Sequence, residues 1–209
     1  RPIFKLDTLA PANNIEHTNA HDAMADVRAT IGIASIIKQT QPKFFDYALS
    51  LNDKKEVSRQ VRMVHPMLLT SSPFGYKSSF TRLVTAICHH PEYSDRAIVF
   101  NLSQDPEILM ELEIDEIKTL TFSRKADLPK GVNKLELNEL VFNKSPMFVC
   151  SPYSTSFKLS PILVEKFQLN MEYCLKNLLY IQNNIEKIEE KVQLVYKKEG
   201  EREPSNDVD

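Results

Sequence analysis

Apolar positions along the chain change period several times. Between residues 22 and 40 they recur at helical spacing. Met24, Val27, Ile31 and Ala34 lie along one stripe, and Ile33, Ile36 and Ile37 widen it. Asp22 is placed to cap the start of this helix. Pro42 disfavours helical backbone at the residue before it, so the helix is expected to end within residues 39–41. Its apolar face is broad and calls for a large partner surface, which little sequence before residue 22 supplies. Ahead of it, IFKL (3–6) reads as a short extended piece. DTLAPANN (7–14) reads as one helical turn and a loop, with Asp7 able to cap the turn. PKFFDYALSLNDKKEVSRQ (42–60) reads as a second helix followed by a basic loop.

From residue 61 to 150 the texture becomes short and β-rich. RMVHPMLLT, FTRLVTAIC, RAIVFNL, NKLELNELVF and PMFVC are separated by Pro, Gly, Asn, Asp and Ser. This spacing predicts a small, mostly antiparallel β domain. ILMELEIDEIKTLTF (108–122) has helix spacing and predicts one helix with its turn. From Ser160 the chain is helical again. Met171, Cys174, Leu175, Leu178 and Ile181 form one stripe, and Ile185, Ile188, Val192 and Val195 form another. After Lys198 the chain reads as a polar linker, EGEREPSNDVD.

Composition narrows the function. Apolar residues at 42% and charged residues at 26% suit a globular protein. The net charge of −2 draws neither nucleic acid nor anionic membrane as a global field, so any nucleic-acid site must be local. Three widely spaced cysteines, Cys88, Cys150 and Cys174, make no disulfide framework and no zinc pattern, which points to a reducing, cytoplasmic setting. No apolar run is long enough to span a bilayer, so no membrane partner is expected. The chain opens at Arg1 without Met and stops in a polar stretch, which reads as a piece of a longer protein; a tag-free single domain is the alternative.

The chemistry concentrates in HTNAHDAMAD (17–26). His21 and Asp26 are five apart, about 140° on a helix, and would not share a face if both were helical. With Asp22 as cap, His21 falls in the preceding loop and can fold over the first turn toward Asp26. Asp offers hard oxygen to Mg²⁺, and an imidazole titrating near neutrality can take a proton from water. A pair of metal ions needs several carboxylates, and no second acidic motif is evident, so Asp26 would need partners from elsewhere. Spacing alone also allows bland loop and helix-surface roles, with His17 and Asp22 as solvated framing and capping residues. A zinc cluster of His17, His21 and Asp26 lacks a fourth ligand. A metal phosphohydrolase built on His21-Asp22 would need further histidines on helices, whereas His65, His89 and His90 fall in strand or loop context.

The run HTNAHDAMADVRATIGIA resembles the third motif of the DEDD exonuclease superfamily, in the subclass with His, four residues, then Asp. With FKLDTLAPANNIEH before it and QPKFFDY after it, the chain most closely resembles the bacterial exodeoxyribonuclease I family. HHPEYSDRAIVFNL, NKSP and EPSNDVD extend weaker likeness to the end. The resemblance implies an α+β chain. Residues 1–40 would be the C-terminal part of an RNase H-like exonuclease domain, residues 41–195 an SH3-like β domain with C-terminal helices, and residues 196–209 a linker toward a helical domain. It implies a Mg²⁺-dependent 3′→5′ exonuclease, monomeric, that degrades single-stranded DNA to 5′-mononucleotides in DNA repair and recombination. Asp26 would be a metal ligand and His21 the general base. The family's Asp-x-Glu first motif and second-motif Asp are not in this sequence, so the chain alone is expected to be inactive.

The same resemblance assigns Lys5 to substrate contact, where the family usually has Arg, and Tyr47 to binding the C-terminal tail of single-strand DNA-binding protein. Lys54, with Lys55 beside it, sits in a basic stretch suited to a DNA backbone. Cys150, Thr155 and His65 stand where relatives use other residues for the tail, and the chain has no Trp. Phe74, Tyr76 and Phe80 are then candidates for packing or stacking. The rival reading is a non-catalytic module that binds single-stranded DNA or a protein partner. Oligoribonucleases and proofreading subunits share the motif but lack a β domain after it.

Overall fold

A computed structural model describes residues 5–16, 22–150 and 158–198. The α+β expectation holds. Helices α1 (Leu6–Ala12), α2 (Ala23–Thr40), α3 (Pro42–Ser50) and α4 (Lys54–Gln60) lead into strands β1 (Pro66–Thr70), β2 (Thr81–His89) and β3 (Arg96–Asn101). Helices α5 (Ile108–Glu111) and α6 (Ile114–Phe122) follow, then β4 (Leu137–Val141) and β5 (Met147–Cys150), and finally α7 (Pro161–Lys166), α8 (Met171–Asn183) and α9 (Ile185–Tyr196). The strands form one antiparallel sheet in the order β4-β3-β2-β1-β5, one strand in each of the five β-rich runs.

The sheet is covered on both faces, which is why its central strands read as nearly unbroken apolar runs. Leu83, Ile98, Phe100 and Leu137 point to one side and pack with Leu109, Ile117, Leu178, Ile181, Ile188 and Val192 from α5, α6, α8 and α9. Met67, Leu69, Val84, Ala97, Val99 and Phe148 point to the other and pack with Leu51 and Val57 beside α3 and in α4. A bulge between Ala86 and Cys88 shifts the register of β2, so that Ile87 and Cys88 fall in the same cluster. Both C-terminal stripes thus meet the sheet. Asn177, also buried, fastens α8 by donating to the Leu102 and Gln104 carbonyls at 2.9 and 2.8 Å.

Several local expectations change. The helix expected over 108–122 is two, because Glu113 and Glu116 form a capping box that restarts it. The first helical turn is a seven-residue helix capped at Lys5, with Asp7 inside its first turn instead of at the cap. Of the extended piece expected over 3–6, residues 3 and 4 lie outside the described residues and Leu6 is helical. Most relevant to function, Lys54 and Lys55 do not lie in a loop. They open α4, where Asp53 caps the helix by accepting from the Lys55 N–H at 2.8 Å.

Candidate functional site

Helix α2 begins at Asp22 and stops at Thr40, with Pro42 opening α3 after the single residue Gln41. Asp22 holds the cap position through backbone alone; its carboxylate makes no capping bond, although the Asp26 N–H donates to the Asp22 carbonyl at 3.0 Å. Asp26 therefore sits in the first turn, partly exposed, and its carbonyl accepts from Thr30 Oγ1 at 2.8 Å. Gly32 allows the incoming chain to lie against α2: a Cβ there would stand 2.9 Å from Ile15 Cδ1. His21 and His17 lie outside the described residues.

Among the described residues no group of three or more His, Cys, Asp and Glu side chains could hold a metal ion. Asp26 is thus a single carboxylate, not a metal centre. His65 and His90 serve the β domain: His65 Nδ1 lies 2.8 Å from the Met63 carbonyl, and His90, buried, accepts at Nδ1 from the N–H groups of Glu92 and Tyr93 at 3.1 and 3.3 Å. The phosphohydrolase alternative finds no histidine cluster here. The α2 stripe itself is real but uncovered among the described residues: Met24, Val27 and Ile31 are 57%, 50% and 60% exposed.

Lys5 is exposed at the start of α1. Lys54 and Lys55 line a groove of about 380 Å³ with Ser58, Arg59, Asp95 and Phe142. Arg59 is neutralised by Glu56, donating to its two oxygens at 2.8 and 2.6 Å. Hydrogen bonds from Arg59 and then Gln60 hold the Glu56 carboxyl down to about 2. Asp95 is engaged by Arg96 at 3.6 Å and by Asn143 Nδ2 at 3.0 Å. Lys54 and Lys55 have no ion pair among the described residues, and they stand at the positive end of a helix, where cations do not help the helix. Two ammonium groups placed against local preference and left unneutralised suit an external anion better than they suit stability. Arg59, Ser58 and Phe142 escape sequence reasoning, because the groove joins α4 to a turn about 85 residues away.

Tyr47 is half-buried. Its hydroxyl donates to the Phe148 carbonyl at 2.5 Å, with Gln60 Oε1 at 3.1 Å, and so ties α3 to β5 and α4. Burial, then the neighbouring Cys150 and Glu56, push its pKa up to about 12. Cys150 stands close by, its Sγ 3.3 Å from the Gln60 carbonyl. Thr155 lies outside the described residues. A phenol whose pKa is raised on folding stabilises the fold fully below pH 10, and that contribution is lost as the pH climbs from 10 through 12. Tyr47→Phe is expected to cost about 1 kcal/mol at neutral pH through the lost hydrogen bond. It is also expected to flatten the fall in stability between pH 10 and 12, as urea melts at several pH values would record. An unchanged alkaline limb would remove Tyr47 as its source.

Phe74 is buried, Phe80 partly buried and Tyr76 half exposed, so Phe74 packs and Tyr76 is the accessible ring of the three.

Comparison with known proteins follows these observations closely. The exonuclease I SH3-like domain matches residues 52–198. Exodeoxyribonuclease I of Escherichia coli (strain K12) is 34% identical over 211 aligned positions, covering 100% of this chain and 43% of the relative. The solved structure of E. coli exonuclease I in complex with a dA16 oligonucleotide superposes with a TM-score of 0.85 at 31% identity, over 99% of this chain and 43% of that one. The zinc-ion-bound form of the E. coli enzyme with single-stranded DNA gives 0.84 at 31%, over 96% and 42%. The chain thus spans less than half the length of these relatives. With its sheet and C-terminal helices inside the matched domain and its sequence aligned throughout, this chain belongs to the exodeoxyribonuclease I family.

Proposed function

We propose that this chain is part of a 3′→5′ exonuclease that hydrolyses single-stranded DNA to 5′-mononucleotides with Mg²⁺, in DNA repair and recombination. The observation that carries the reading is the whole-chain alignment to exodeoxyribonuclease I, with solved relatives that hold single-stranded oligonucleotides. Asp26 supplies one oxygen ligand to a metal centre whose other carboxylates lie outside these 209 residues. His21 acts as general base toward the attacking water. The described residues do not make a metal site alone, so the chain by itself is inactive.

Residues 1–40 are the C-terminal part of the exonuclease domain, and the exposed α2 stripe of Met24, Val27 and Ile31 packs onto the rest of it. Residues 41–195 form the SH3-like domain and 196–209 a linker. Lys5 and Lys54 contact DNA phosphate, Lys54 from the groove it shares with Lys55. Tyr47 presents its ring edge to the C-terminal tail of single-strand DNA-binding protein while its hydroxyl remains bonded inside. The protein works as a cytoplasmic monomer; three cysteines free of disulfides suit that compartment.

The whole protein, given Mg²⁺ and a 5′-labelled single strand, is expected to shorten it progressively from the far end. A strand closed at its 3′ end by phosphorothioates should resist, and blunt duplex should be cut far more slowly. Release of the 5′ label as the first product would overturn the stated direction. Binding without cleavage by the whole protein would favour the non-catalytic module.

A further inference from the structure

A second groove, of about 580 Å³, lies between the β1–β2 loop and the loop that joins α6 to β4. Phe74 lines it from the first loop, Lys125 and Lys134 from the second, and Arg82 from β2. It shares no lining residue with the groove at α4. The second loop is locally basic: residues 123–136, SRKADLPKGVNKLE, carry Arg124, Lys125, Lys130 and Lys134 against Asp127 and Glu136, in a chain whose net charge is −2.

Charge inside the groove is not cancelled. Glu136 is already occupied: one oxygen accepts from Asn101 Nδ2 at 2.8 Å and lies 3.4 Å from Arg82 Nε. Lys125 and Lys134 are in no ion pair among the described residues. The Arg82 guanidinium stands 5.8 Å from the Phe74 ring centre. Phe74 is only 7% exposed, so it holds the guanidinium and offers no apolar anchor. The remaining lining includes the amides of Asn133 and Asn138. A protein partner needs a buried aromatic or aliphatic anchor, which this groove does not present. Unneutralised cations with side-chain amides suit a phosphate backbone. The exposed ring of Tyr76 and the exposed Lys77, both on the β1–β2 loop, add the aromatic and cationic surface on which single strands are held.

We propose that this groove is a second contact for single-stranded DNA, in which Lys125 and Lys134 neutralise two phosphates and Asn133 and Asn138 hydrogen-bond to the strand. The inference rests on the single-stranded DNA reading above and adds a contact apart from Lys54. It predicts the salt dependence of binding. Each phosphate neutralised on a single strand contributes about 0.7 to the slope of log K against log salt. Binding of the 209-residue chain to a fluorescent oligothymidylate, followed by anisotropy across a KCl series, reads that slope. The Lys125→Gln, Lys134→Gln double variant is expected to lose about 1.4 from the slope, with its thermal unfolding unchanged and with Lys125→Arg, Lys134→Arg restoring it. A slope unchanged in the Gln variant, but reduced by Lys54→Gln with Lys55→Gln, overturns this groove and leaves the DNA reading standing. A wild-type chain that binds no oligothymidylate, or an acidic peptide in its place, overturns both.

Discussion

Asp26→Ala in the whole protein is expected to lower degradation of single-stranded DNA by on the order of 10³-fold, with the fold intact. A divalent ion at a phosphoryl oxygen supplies several kcal/mol of transition-state stabilisation, and each ~1.4 kcal/mol is a factor of ten in rate. A carboxylate offers a charged, hard oxygen ligand that Ala lacks altogether. The structural cost is small for reasons visible in α2. The two bonds given for residue 26, from its N–H to the Asp22 carbonyl and from Thr30 Oγ1 to its carbonyl, use backbone atoms that Ala retains. What the helix loses is a carboxylate in its first turn, worth about 0.3–1 kcal/mol, partly offset by the better helix propensity of Ala. Asp26→Asn, which keeps one neutral oxygen, should fall between. Initial rates on a labelled oligonucleotide, taken beside a thermal melt, separate the two effects. Activity within about threefold of wild type would remove Asp26 from the metal centre.

The largest expected loss of stability is at Phe100. Its ring is fully buried at the centre of the sheet, opposite Thr85 of β2 and Leu137 of β4, within the cluster that α6, α8 and α9 close. Phe100→Ala removes that contact and leaves a cavity whose walls belong to several elements and cannot collapse together. The cost is expected to be about 3–5 kcal/mol, a drop in melting temperature of roughly 6–20 °C for a chain of this size. Ile162, 76% exposed in α7, is the control: Ile162→Ala should stay within about 0.5 kcal/mol of wild type. Denaturant melts of both variants decide it. A loss below about 1.5 kcal/mol at Phe100 would mean that the two layers repack around the vacancy.

Much of this fold is legible along the chain because its signals are local. Each β-rich run contains one strand, and the two C-terminal stripes become α8 and α9 with Cys174, Leu178, Ile181, Ile188, Val192 and Val195 buried. The break between α5 and α6 was also written locally, in Glu113 and Glu116, but a continuous apolar spacing hides a capping box built on an unusual Glu cap. Lys54 and Lys55 read as a basic loop because two lysines at a helix start run against the dipole; only the Asp53 cap shows that the helix begins there.

Sequence by itself determined the element types, the limits that Asp22 and Pro42 set on α2, the alternation that lets one sheet carry two cores, and the family resemblance of the His21–Asp26 run. Those features depend on neighbours within a few residues, where steric and periodic rules act. Tertiary structure alone decided the rest. It committed the Tyr47 hydroxyl to a carbonyl 101 residues away, placed Lys54 across a groove from Asp95, and brought Arg82 of β2 into one cleft with Lys125 and Lys134. It also left the Met24, Val27 and Ile31 face of α2 uncovered among the described residues. Which charges stay unneutralised, and which apolar face lacks a cover, depends on contacts between segments far apart in the chain, and local spacing carries no record of them.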